Sequence, residues 1–424
     1  MGNETRAFYP KKEGIPLLRF VSRGMLAMLL VLALVTVAGC GGKSPAPEQQ
    51  QAQQPKEPIK IGIATSQTGA LEAYGKQNLR GFELGIQYAT KGTGEVAGRP
   101  IKVIIQDTET KPEVAKQKAL KLLEEDKVDV LVGSASSADA LAILPLAEEY
   151  KRVMVVEPAV ADAITGAQWN RYIFRTGRNS SQDAVAGAAA IAGPGVKIAI
   201  LAPDYAFGRD GAKAFKAAAE KLGARIVLEE FPDAKATDFT AHIQRVISAK
   251  PDYLFVIWAG ANTPWQQISD MKLPEKGIKL STGAPDIAAL KTMWNVVGME
   301  GFSVYYYELP KTAVNDWLVA EHKKKYSEPP DLFTAGGMAA AMAIVQALEK
   351  TGGDTDTEKL ISAMEGMTFD TPKGKMTFRK EDHQALQALY AIKLEKKEGV
   401  DWPVPVLLRE MTPEETAPPI QNKR

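Results

Sequence analysis

The chain reads as an α/β protein of two doubly wound lobes, and three observations carry that reading. Short runs rich in β-branched residues alternate with amphipathic helical runs from Ile59 onward, and the alternation starts afresh after Arg178. The first strand of each series also ends alike. Ala73-Tyr74-Gly75 opens a helix in one, and Ala206-Phe207-Gly208 opens a helix in the other. Apolar strands separated by helices argue for βαβ units and a parallel sheet covered on both faces. Two series predict two such sheets.

The first series comprises strands Ile59–Ala64, Ile101–Gln106, Val128–Val132 and Val153–Val156, with helices Tyr74–Thr90, Pro112–Glu125 and Ala138–Tyr150 between them. The second comprises strands Lys197–Leu201, Arg225–Glu229, Asp252–Trp258 and Ile278–Leu280, with helices Arg209–Leu222, Asp238–Ala249, Thr263–Met271 and Ile287–Val297. Beyond Tyr307 the rhythm changes. Helical runs at Ala313–Tyr326, Leu332–Lys350 and Glu358–Met364 precede β-prone pieces at Lys375–Phe378 and Leu389–Leu394. These must cover sheet faces and supply crossings between lobes, and pattern alone does not assign them. The aromatic-Gly pairs read as two facing half-sites, because ligands of open α/β sheets bind beyond the carboxyl ends of the strands. They also serve as ordinary loop-to-helix junctions.

The only cysteine, Cys40, closes an uncharged run from Met25 to Ala38, with Lys11, Lys12, Arg19 and Arg23 upstream. A run of about 14 residues is short of the roughly 20 that span a bilayer and is flanked like a secretory signal. A signal anchor with an incidental cysteine is the alternative. From Gly41 to Pro58 the chain is rich in Gln and Pro without apolar periodicity, which predicts a disordered tether. The segment after Trp402 is Pro-rich and polar, and its end is expected to be poorly ordered. With 45% hydrophobic and 24% charged residues and a formal charge of +1, the rest is a globular protein with no bulk field for nucleic acid or acidic lipid. One cysteine excludes a disulfide, a thiol nucleophile in the exported body and a cysteine-based metal site. His242, His322 and His383 stand in polar contexts at no metal-ligand spacing and are expected to be solvated surface residues.

Catalytic signatures fail. Between Gly69 and Gly75-Lys76 five residues intervene where a phosphate loop requires four, and Gln77 replaces its Ser or Thr. Gly92-Thr93-Gly94 with Gly98 is off-spacing for a dinucleotide fingerprint and links a helix to a strand. No Gly-x-Ser-x-Gly elbow occurs, and no Ser-x-x-Lys pair falls at a plausible helix start. Gly133-Ser134-Ala135-Ser136-Ser137 is better placed, between a strand and a helix. Hydroxyls and unpaired N–H groups converge there, which suits a carboxylate or phosphate; N-capping by Ser136 or Ser137 is compatible with that role.

These residues, in order, resemble the type I periplasmic binding proteins in the branched-chain amino acid (Leu/Ile/Val) branch of ABC importers. The resemblance rests on Ile61-Gly-Ile-Ala, Thr68-Gly69, Tyr74-Gly75, Gly81-x-x-x-Gly85, Val132-Gly133, Ser136-Ser137, Pro158-Ala159, Phe174-Arg175-Thr176 and Asp204-Tyr205-Ala206-Phe207-Gly208, and covers Ile59 to about Gly399. Val37-Ala38-Gly39-Cys40 likewise resembles a lipobox, in which Cys40 is lipidated and the chain is cut before it. Two or more acyl chains anchor a protein stably.

The resemblance implies two Rossmann-like lobes joined by hinge strands and closing on a small ligand, without a cofactor, a metal or catalysis. Its implied organisation is a signal peptide at 1–39, a lipidated tether at 40–58, one lobe from 59–177 and 304–385, the other from 178–303 and 386–410, and a tail at 411–424. The implied ligand is an amino acid or related carboxylate, delivered to ABC permease subunits at the outer face of the cytoplasmic membrane. Ser136, Ser137 and Ala159 would hold its carboxylate, Asp286 its ammonium, and Tyr74, Phe207 and Trp258 would line the cleft. Asp286 also reads as a helix cap. Ala161 stands where relatives often have a hydroxyl residue, and Phe207 where tyrosine is common. Both make the site more apolar. A sensor of the same fold signalling to a membrane kinase or chemoreceptor is the alternative function, and an exported enzyme a third.

Overall fold

The structure is a computed structural model in which residues 56–259, 262–293 and 296–422 are described. The expected signal peptide, Cys40 and nearly all of the tether lie outside them. In chain order come β1 (Ile59–Thr65), α1 (Glu72–Ala89), β2 (Glu95–Val96), β3 (Arg99–Asp107), α2 (Pro112–Glu124), β4 (Val130–Gly133), α3 (Ser137–Glu149), β5 (Val153–Val156) and β6 (Ile173–Arg175). They form one sheet in the order β2-β3-β1-β4-β5-β6, parallel except for the β2–β3 hairpin. Next come α4 (Ser180–Ile191), β7 (Lys197–Leu201), α5 (Ala206–Lys221), β8 (Arg225–Glu230), α6 (Thr240–Ala249), β9 (Tyr253–Val256), α7 (Trp265–Asp270), β10 (Lys279–Thr282), α8 (Ile287–Thr292) and β11 (Glu300–Ser303). Strands β7 to β10 form a second parallel sheet in the order β10-β9-β7-β8. β4 and β5 are buried along their whole length, as a sheet covered on both faces requires.

The remaining elements are α9 (Ala313–Tyr326), α10 (Leu332–Lys350), α11 (Thr357–Met364), β12 (Thr368–Thr371), β13 (Gly374–Phe378), β14 (Ala385–Leu386), β15 (Leu389–Glu395) and β16 (Val404–Met411). Antiparallel β12–β14 adjoin the first sheet through a bridge between Arg175 and Gln384, and antiparallel β11-β15-β16 adjoin the second through one between Gly283 and Phe302. The chain passes between the two sheet systems after β6, after β11 and between β14 and β15. Two lobes joined by three connections result.

Helix α10 is long and apolar enough to cross a membrane, but 83% of it is buried inside the protein, so it is a core helix. Glycines set how closely it crosses α1. A Cβ on Gly81 would lie 1.9 Å from the Thr334 carbonyl oxygen, and one on Gly337 would lie 2.0 Å from that of Asn78. Backbone therefore meets backbone, and the Gly81-x-x-x-Gly85 spacing has a packing cause.

Three expectations need correction or addition. His322 and His383 are buried, at 2% and 0% exposure, and are not solvated. His383 stacks on Phe174 at 3.9 Å and its Nδ1 lies 3.0 Å from the Ile173 carbonyl, while His322 Nδ1 lies 2.8 Å from that of Glu328. An imidazole is amphipathic and enters a core when a ring and a carbonyl await it, which a local polar context does not reveal. After Trp402, β16 pairs along β15, and Thr416 is buried and donates to the Gln387 carbonyl at 3.0 Å, so order reaches well into the expected tail; residues 423–424 lie outside the described ones. Helix α4 was not foreseen. Its Ala-rich run is buried on most sides, so it has no polar stripe to mark a period.

Candidate functional site

The carboxyl ends of β4, β5, β7, β9 and β10 converge on a cleft holding about 800 Å³ of space, part of it open to solvent. Strand ends place the side chains because the backbone leaves each strand there and turns into a loop or helix. Tyr74, Ser137, Ala159, Phe207 and Trp258, all expected at the site, line this cavity together. The two aromatic-Gly pairs thus do face one space from opposite lobes. Their glycines are steric necessities: a Cβ on Gly75 would lie 1.8 Å from the Ser66 carbonyl oxygen, and one on Gly208 would lie 2.0 Å from that of Pro203.

Ser136 and Asp286 are not among the cavity-lining residues. Ser136 caps α3, its Oγ accepting from the Asp139 amide at 3.3 Å. Asp286 caps α8, its Oδ1 accepting from the Ala289 amide at 2.7 Å. It lines an adjoining outer chamber with Glu72, Lys76 and Trp265, and Tyr74 and Trp258 border both spaces. Ser137 is placed differently from Ser136. Its Oγ accepts from the amides of Val160 and Ala161 at 3.3 and 3.2 Å, so its proton is left to donate.

The walls are largely aromatic. Tyr74 stacks on Phe333 at 4.0 Å, Phe215 on Phe255 at 3.8 Å, and Tyr205 lies 5.8 Å from Phe207. Phe302 completes the lining. Two charged residues also line it, Arg178 and Asp183, and neither was expected from sequence. Arg178 is 8% exposed, and its Nε lies 3.2 Å and 3.3 Å from the two carboxylate oxygens of Asp183. Burial pushes the Asp183 carboxyl up, opposed by the charge of Arg178. Among the described residues the Arg178 bonds use Nε alone, which leaves the two terminal nitrogens of its guanidinium to meet a ligand anion. A readable signal existed, since Phe174-Arg175-Thr176 is followed by a second arginine two residues on, at a strand's carboxyl end.

Behind the cavity wall lies a polar layer that ties the lobe connections. Arg175, fully buried, donates to Gln384 and Ala161 at 2.7 Å each, and also to Thr165. Glu157 accepts from Thr176 at 3.0 Å, and burial pushes it up to about 7. Lys373 donates to Gln387 at 2.6 Å, and burial pushes it down to about 7. Among the described residues no cluster of His, Cys, Asp and Glu is arranged to hold a metal ion.

Two lobes around a ring-lined cleft with one buried cation define a solute-binding protein. Residues 58–399 match the periplasmic binding protein family, and the chain belongs to that family. It is 52% identical to an ABC-type branched-chain amino acid transporter protein of Rhodopseudomonas palustris, covering 86% of this chain and all of that one at a TM-score of 0.77. A solute-binding protein of R. palustris BisB5, solved with 3,4-dihydroxybenzoic acid, is 31% identical over 84% of this chain and 97% of its own, at a TM-score of 0.75. Leu/Ile/Val-binding protein homolog 6 of Brucella abortus is 26% identical over 346 residues, 78% of this chain and 86% of the relative. The protein is therefore an exported substrate-binding component of an ABC transporter.

Proposed function

We propose that the cleft takes a small aromatic carboxylate, held with its anion against Arg178 and Ser137 and its ring among Tyr74, Phe207 and Trp258. The observation that carries this is the buried Arg178, the one cation that the described residues bring to a cavity walled by rings. A buried anion needs such a partner, and aromatic walls supply the remaining burial. No carboxylate in the cavity is left over for an ammonium, because Asp183 is engaged by Arg178 and Asp286 caps a helix outside it. The relative solved with 3,4-dihydroxybenzoic acid supports this class. A branched-chain amino acid is the second reading, favoured by the Leu/Ile/Val-binding relatives, and would require Asp183 to turn to the ammonium. Delivery would be to a permease, by closure of the lobes around the ligand. Lipidated Cys40 would hold the protein at the outer face of the cytoplasmic membrane.

Thermal unfolding with benzoate, 4-hydroxybenzoate, leucine and phenylalanine tests the ligand class. A ligand at about 100 times its dissociation constant adds about 2.7 kcal/mol. Stabilisation by the benzoates alone is expected. Stabilisation by leucine alone selects the second reading, and silence from all four refutes both.

A further inference from the structure

The lobes meet at a pair of buried aspartates outside the ligand cavity. Asp331 caps α10, its Oδ1 accepting from the Leu332 amide at 2.8 Å, while its Oδ2 accepts from the Ile287 amide of α8, also at 2.8 Å. Helix α10 packs against α1 of the first lobe, and α8 follows β10 of the second, so one carboxylate bonds across the cleft. Ile287 directly follows Asp286, which caps the same α8. Asp286 and Asp331 are 5% and 8% exposed. Asp286 Oδ1 accepts from the Ala289 amide, and the residue's own amide also bonds its carboxylate.

The surrounding charges do not neutralise this pair. Glu328, on the loop before α10, adds negative charge to Asp331 and is itself bound to Arg80. His322 meets the Glu328 carbonyl, and Tyr305 donates to Asn315 at 2.7 Å. On α8, Lys291 lies over the Trp402 ring at 5.0 Å, and across the outer chamber Glu72 and Lys76 pair with each other. Burial and the neighbouring Asp286 push Asp331 up to about 7, and burial pushes Asp286 up as well. Two close buried carboxylates titrate as a unit, and one must carry a proton.

We propose that closure of the lobes takes up one proton at the Asp286–Asp331 pair, so that ligand is held more tightly in acid than in alkali. When the lobes open, water reaches both groups and each returns toward an ordinary aspartate value near ~3.9. The closed state then binds the extra proton between that value and about 7. Its advantage is complete below the open-state value and is lost as pH rises through the closed-state value. Between pH 5.5 and 8.5 the closing equilibrium changes about 30-fold. The inference rests on ligand capture by lobe closure, not on which ligand is bound.

The test uses spin labels at Lys116→Cys and Lys213→Cys, one exposed site on each lobe, in the full chain carrying Cys40→Ser. Interlobe distances are measured without ligand at pH 5.5 and 8.5, then affinity for 4-hydroxybenzoate and leucine at both. The expected result is a shift toward the short distance at pH 5.5 and about 30-fold tighter binding there. Asp286→Asn keeps the cap and mimics the protonated group, so it should stay closed and bind tightly at both pH values. Distances that do not move with pH, or a variant that moves as the parent does, overturn the proposal. If neither compound binds, the ligand reading fails while the distances still decide this one.

Discussion

Arg178→Met removes the one buried cation that the described residues bring to the cavity. A ligand carboxylate that loses its partner in a buried site costs about 3–5 kcal/mol, or roughly two to four decades of affinity. The same change strands Asp183, whose side chain is only 17% exposed. Burial already pushes that carboxyl up, and Arg178 is the leading influence holding it down. Without Arg178, the Asp183 carboxyl is pushed further up by burial, and the fold is expected to lose stability on the alkaline side. The double variant Arg178→Met, Asp183→Leu should recover that stability, since an apolar pair of similar volume often replaces a buried ion pair without loss. It should not recover binding. Calorimetric titration with 4-hydroxybenzoate and urea unfolding at pH 7 and 9 measure the two effects separately. Wild-type affinity in Arg178→Met, or binding restored in the double variant, would refute the assignment of Arg178 as the anion's partner.

Gly81→Ala forces a Cβ to within 1.9 Å of the Thr334 carbonyl oxygen unless α1 and α10 separate. Overpacking of this kind costs about 1–3 kcal/mol, and a melting temperature lower by several degrees should result. Glu157, at about 7 in the fold, lies above its unfolded value of about 4.3, so its contribution to stability is lost as pH rises through 7. Glu157→Gln should therefore remove about 2–3 kcal/mol of the stability difference between pH 5 and pH 8. Lys373 titrates in the opposite sense and feels the Glu157 charge, so urea midpoints of the two proteins compared at each pH read the loss of Glu157 together with its effect on Lys373. Trp258→Ala should weaken 4-hydroxybenzoate by one to two decades, because a ring contributes about 1.5–3 kcal/mol by burial. Cys40→Ser should release the exported protein from membranes, read by detergent-phase partitioning of whole-cell extracts.

Local pattern carried far in some places and stopped in others, for reasons visible residue by residue. Strand Val153–Val156 and helix Leu332–Lys350 were legible to the residue, because a continuous apolar run bounded by charged or turn residues can hardly be anything else. Tyr74 and Phe207 were legible as a facing pair through the repetition of an aromatic-Gly junction after the first strand of each series. Strand β6 was too short to register, and α4 too uniformly small and buried to show a period. Ser136 and Ser137 were indistinguishable in sequence. One hydroxyl caps a helix while its neighbour faces the cleft, since successive residues at a helix start point in different directions.

What the sequence determined by itself is the alternation that builds two parallel sheets and the glycines that let helices and loops approach. Those properties depend on neighbours within a few residues, which pattern records directly. Only the tertiary structure decided the contents of the cleft. Arg178, Asp183, Phe302 and Phe333 are separated by up to 155 residues and meet because two sheets and three connections fold them onto one space. It also placed Asp331 against the Ile287 amide, a bond between the lobes joining residues 44 apart in sequence that no local rule encodes. Charge and burial at such sites are set by partners distant in sequence, and that is why they appear only once the chain has closed on itself.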